Sequence, residues 1–180
     1  MIVNENIVYF YCKKLLKKSG IHVFAGEPPG GSDELHRVEL KHPDFSGKGS
    51  KGSRKFDLIA HHKSTFLLIE LKDSSKKHEN DIKKLRDTVE DIQWLKAFWM
   101  NMNERQLFGK GEIPKYSLGD FIDKRETLFQ LCLGAGPSDF TPPDNFIYFE
   151  VNKNHLKCRG ENVDNKSLLA DIIARTSQFN

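Results

Sequence analysis

The sequence predicts an α/β domain with a mixed central β-sheet and helices on both faces. Three observations carry this. An amphipathic helical segment opens the chain, short strand-like segments follow it, and a long amphipathic helix separates these from two apolar strands and a closing helix. Elements in that order bury their apolar faces best as helical layers around one sheet. At 180 residues the chain has the size of a single domain, 1–180, with enough length for an ordinary core.

Each element has a local reason. In residues 4–19 (NENIVYFYCKKLLKKS), Val8, Tyr11, Leu15 and Ile7 fall towards one helical face. Lysines fill the last turn, where the helix dipole favours cations, and Gly20 provides the stop. IHVFAGE (21–27) is a strand ended by PPGGS, and HRVELKH (36–42) alternates as a weaker one. Residues 55–61 and 66–72 form two strands with a short turn at Lys63 and Ser64. Residues 79–102 give one long helix, with Ile82, Leu85, Val89, Ile92, Leu95, Trp99 and Met102 in a single stripe that Trp94 and Phe98 widen. So broad an apolar face is first of all core, with a partner surface as the alternative. The segment 103–126 is irregular, 127–136 and 145–151 are strands, and 165–177 is a helix capped by Asp164 or Asn165.

Composition narrows the function. Hydrophobic residues make up 38% and charged residues 29%, as in soluble globular proteins. No apolar run approaches the roughly 18 residues that cross a bilayer. The opening MIVNENIVYF lacks the basic-then-apolar pattern of a signal peptide. Cys12, Cys132 and Cys158 are odd in number and lack metal-type spacing, so the expectation is reduced thiols in a cytoplasmic protein.

Net charge is only +3 but unevenly spread: residues 41–55 carry five Lys/Arg against one Asp, and residues 13–18 contain four lysines. Such clusters can form a nucleic-acid footprint, and Lys48, Lys51, Arg54 and Lys55 are candidate contacts to a DNA backbone. A plain flexible connection is the alternative. The stretch is not a phosphate-binding P-loop, because Ser53 and Arg54 stand where Lys and Ser/Thr are needed and a strand follows.

The chemistry concentrates in FDLIAHHKSTFLLIELK (56–72). Charged groups in half-buried strands are costly unless they are paired or bind a metal. A turn centred between Lys63 and Ser64 pairs residues whose numbers sum to 127, which sets Asp57 opposite Glu70 with Cβ atoms about 4.5–5.5 Å apart. Lys72 lies on the same face as Glu70. Two carboxylates so close repel unless one is protonated or a cation lies between them. Their oxygens, with the Leu71 carbonyl, suit Mg2+ or Mn2+. Lys72 could orient or deprotonate a water, or stabilise charge on a phosphate. His61 and His62 belong to an exposed turn in this reading, and zinc has no ligand set.

Asp57, then Glu70-Leu71-Lys72 after a short hairpin, then a long helix, resembles the PD-(D/E)XK nuclease superfamily over residues 1–102. Phe56 departs from the proline often found before the first aspartate. The resemblance implies a restriction-endonuclease-like fold and a Mg2+-dependent DNA endonuclease, with Asp57 and Glu70 as metal ligands and Lys72 assisting the water. A further upstream acid often joins, and Glu5, Glu27 and Glu39 are the candidates. The size is similar to that of a restriction endonuclease or the small catalytic subunit of a type IIS enzyme. The implied partners are double-stranded DNA and either a second copy or a larger DNA-recognition or nicking subunit. A junction-resolving or repair nuclease of the same fold, and a non-catalytic DNA-binding module, are the alternatives. An RNA-binding protein lacks support, because no aromatic pair stands within a basic motif.

Overall fold

Asn4 starts the first helix by accepting the Ile7 amide on its side chain, which supplies a partner to an otherwise orphaned donor. The computed structural model that shows this describes residues 4–31, 34–44 and 52–178. Helix α1 (Glu5–Lys18) buries Val8, Cys12, Leu15 and Leu16, and Gly20 at φ +76° releases the chain into β1 (His22–Gly26). Strands β2 (Glu39–Lys41) and β3 (Ser53–Lys55) form a small antiparallel ribbon. Strand β4 (Leu58–His62) and β5 (Thr65–Leu71) form the central hairpin. Helices α2 (Glu79–Glu90), α3 (Ile92–Glu104), α4 (Leu118–Asp123) and α5 (Arg125–Leu128) follow. Strands β6 (Phe129–Ala135), β7 (Phe146–Val151) and β8 (Leu156–Arg159), then helix α6 (Lys166–Ser177), complete the chain.

The main sheet has the order β1-β4-β5-β6-β7-β8 and is mixed: β5, β6 and β7 run parallel, while the remaining pairings are antiparallel. The chain is thus an α/β protein of six-stranded mixed sheet with a two-stranded ribbon beside it. Strand β5 is buried along its whole length because both of its faces are covered. Phe66 and Leu68 point towards the α2–α5 side, while Leu67, Ile69 and Leu71 point towards α1 and α6. Phe66 is the centre of the first core, with its ring 4.9 Å from His61 and 5.7 Å from both Phe121 and Phe129.

The hairpin register matches the sequence arithmetic. Leu58 pairs with Ile69 and His62 with Thr65, and Lys63 and Ser64 turn the chain at φ 47° and 61°. Two positive φ angles make a turn whose twist suits the strands it joins. Residues 53–55 do not belong to this hairpin, however. They pair with β2, and β4 starts only at Leu58.

Other expectations are corrected. The single helix over 79–102 is two helices, because Asp91 adopts an extended conformation and accepts the Gln93 amide at 2.8 Å as the N-cap of α3. Aspartate is a poor residue mid-helix and a good cap, so the break is locally favoured. It brings Trp94, Leu95, Phe98 and Met102 into the core and leaves Ile92 48% exposed. Asp91→Ala is expected to cost about 1 kcal/mol in chemical denaturation; an unchanged midpoint would show that packing alone sets the break. The polar segment 103–126 contains α4, closed by a reciprocal Ser117–Asp120 capping box, and the start of α5. Strand β8, short and at the sheet edge, carries too weak an alternation to be seen in the sequence. His61 and His62 are buried, not exposed, and the His62 ring lies 2.6 Å from Asp171. Among the described residues no helix is long and apolar enough to cross a membrane.

Candidate active site

The end of the hairpin away from its turn gathers the charged residues. Asp57 immediately precedes β4, and its Oδ2 accepts the Leu71 amide at 2.7 Å, which ties it across to the end of β5. Its backbone is held as well. The Glu27 amide donates to the Phe56 and Asp57 carbonyls, and a Cβ at Gly26 would collide with the Asp57 carbonyl oxygen. Only glycine fits there. Glu70, one residue before the end of β5, is 2% exposed. Lys72 follows the strand and stays aligned with β6 through its amide, which donates to the Gly134 carbonyl at 2.9 Å.

Helices supply the rest of the cluster. Lys84 of α2 places Nζ 2.6 Å from Glu70 Oε1 and donates to the Lys55 carbonyl at 3.0 Å. The Lys84 ammonium is thus the charge partner of the buried Glu70. Asp81, in the first turn of α2, lies with Oδ2 3.6 Å from Lys72 Nζ and 3.2 Å from His78 Nδ1. Glu5, at the start of α1, lies 3.6 Å from Lys72 Nζ on the other side. Of the three upstream acids, Glu5 therefore reaches the cluster. Glu27 holds Lys55 at 3.1 Å beside it, and Glu39 stands opposite Lys55 in the ribbon.

The electrostatics follow from burial. Burial pushes the Asp57 carboxyl up to about 6, against the Leu71 amide and the charges of Lys72 and Lys84, which pull it down. Burial and then the Asp57 charge push Glu70 up to about 8, and Lys84 offsets this only in part. For Lys72, burial alone would lower the pKa, but Asp81, Asp57, Glu5 and Glu70 together raise it above its ordinary value. Lys72 is therefore held as an ammonium ion.

The two carboxylates fit a hard divalent cation chemically. They are oxygen donors and they repel each other. Among the described residues no three His, Cys, Asp or Glu side chains come together as a ready metal cage. The protein's share of a coordination sphere would be Asp57 and Glu70, with water or substrate oxygens completing it, as Mg2+ favours.

The basic candidates are placed differently. Lys48 and Lys51 lie outside the described residues. Arg54 is turned inward: its guanidinium stacks 4.0 Å from the Trp94 ring centre and donates to Thr88 Oγ1 at 2.8 Å and to the Lys84 carbonyl at 3.1 Å. Lys55 is engaged by Glu27. Both fasten the ribbon to the domain, so a phosphate would have to compete for them. Sequence reasoning missed the roles of Asp81, His78 and Lys84. Their only signal was their place at the start of the helix after the hairpin. The cysteines take no part: all are free thiols, and burial raises the pKa of each.

Comparison of the chain with protein-family models, curated proteins and solved structures found no significant match.

Proposed function

We propose that the protein is a Mg2+-dependent DNA endonuclease, most simply a restriction endonuclease or its cleavage subunit. The observation that carries this reading is the convergence of Asp57, Glu70 and Lys72 at one end of a buried hairpin, with Glu5 and Asp81 around the lysine. This is the arrangement that the resemblance to PD-(D/E)XK nucleases implies, and few purely structural roles would gather so many charges where burial penalises them. Asp57 and Glu70 would hold the cation, with Mn2+ able to replace Mg2+. A cation bound there supplies charge neutralisation and a more acidic water. The Leu71 amide fixes the Asp57 carboxylate, Lys84 holds Glu70, and the Lys72 ammonium offers a positive charge to a phosphate. A junction-resolving or repair nuclease would use the same groups.

Nicking of supercoiled plasmid tests the proposal. Wild-type protein is expected to cut in Mg2+ or Mn2+ and not in a chelator, and Asp57→Ala is expected to abolish cutting. Cutting that survives Asp57→Ala would refute the assignment. Divalent-cation binding that Asp57→Ala removes, without cutting, would favour a subunit that needs its partner. No binding at all would favour a non-catalytic module.

A further inference from the structure

Among the described residues nothing covers the outer face of α3 at Ile92 and Met100. Ile92 and Met100 are 48% and 42% exposed, and with Lys96 and Glu104 they form one ridge at four-residue spacing. Large apolar side chains left in water on a single ridge mark a contact surface when they sit among charges that also lack partners. Among the described residues Lys96 and Glu104 make no ion pair. Glu104 ends the helix, where the dipole disfavours a carboxylate, and α3 has no basic residue in its last turn to offset it. Arg105 is turned back to Asn101.

Opposite charges flank Met100 at equal distance along the ridge: a cation lies four residues before it and an anion four residues after. Laid antiparallel against itself, the ridge sets each Lys96 opposite a Glu104 of the second copy, and Met100 meets Met100 at the centre. Self-complementarity of this kind is what a two-fold interface requires. A groove of about 540 Å³ has the ridge itself as one wall, with Lys96, Met100 and Glu104 facing Glu39 and Lys41 across it, and offers space for a thioether.

We infer that this face of α3 is the interface with a second copy of the chain, paired about a two-fold axis at Met100. The surface argument stands on α3 alone. Its use, presenting two active sites to the two strands of a duplex, rests on the nuclease reading.

Sedimentation equilibrium at micromolar protein concentration tests the interface. Wild type is expected to dimerise. Lys96→Glu sets two carboxylates against each other at both ends of the ridge, and Glu104→Lys sets two ammonium groups there, so each variant alone is expected to associate about tenfold or more weakly. In an equimolar mixture, a heterodimer of the two variants places carboxylates on one ridge against ammonium groups on the other, and the mixture is expected to dimerise as wild type does. That recovery also shows that both variants are folded. A monomeric wild type, or a mixture no tighter than its parts, would overturn the interface. The readout does not involve cutting, so a monomer that still nicks DNA overturns the interface and spares the nuclease, while an inactive dimer does the reverse.

Discussion

Lys72→Ala is expected to slow cutting roughly 10²–10³-fold, the loss usual when one preorganised charge is removed from a site where charge develops. The fold should survive. The Lys72 backbone amide remains bonded to Gly134, and the side chain is not part of either apolar core. Lys72→Arg separates the two roles open to a lysine. Asp81, Asp57, Glu5 and Glu70 outweigh burial and raise the Lys72 pKa, so in the proposed nuclease it would serve as a cation. An arginine keeps that charge and is expected to restore much of the rate. Plasmid nicking by the wild type and the two variants gives the result directly. If Lys72→Arg is as slow as Lys72→Ala while both still bind Mn2+, the side chain acts as a base and the charge argument is wrong.

The second large effect is on stability. Glu70 has its pKa raised from 4.5 to about 8, and Asp57 from 3.8 to about 6. Between those values the folded chain holds protons that the unfolded chain has released. Stability must then fall as pH rises, because its slope follows the protons bound in the unfolded state minus those bound in the folded state. The loss begins above about pH 4 and is complete once Glu70 has ionised, above about pH 8. Glu70→Gln removes the larger share. It is expected to be more stable than wild type at about pH 8 and little changed at about pH 5, as read by urea denaturation with chelator present. Divalent cation should reverse the pattern for wild type alone, raising its melting temperature more at about pH 8 than at about pH 6, since binding must displace the protons. A wild-type curve flat across this range would remove the basis for a strained carboxylate pair.

What the sequence made legible was local or governed by register. Asn165 and the glycine after α1 announce helix ends through their own chemistry. The hairpin register follows from the turn at Lys63 and Ser64, and with it the meeting of Asp57 and Glu70. Asp91 was hidden because an apolar pattern of period 3.6 continues through it, while a single cap suffices to break the helix. The burial of His61 and His62 depends on α6, through Asp171, and on the loop around Glu112, which cover a hairpin end that, taken alone, looks exposed. Asp81 and Lys84 reach the site only through the way α2 packs on the sheet, and no spacing in the chain records that.

The inward turn of Arg54 has a consequence for control. Its guanidinium joins β3 to the Lys84 carbonyl and to Thr88, while the Lys84 ammonium joins the Lys55 carbonyl to Glu70. The ribbon and the buried carboxylate are thus two ends of one short mechanical linkage. A ligand that draws β3 away would loosen the grip of Lys84 and raise the proton affinity of Glu70 further. One that presses it home would do the opposite. For any ligand that bound there, occupancy at the ribbon and ionisation at the hairpin would be coupled, each biasing the other by the same free energy.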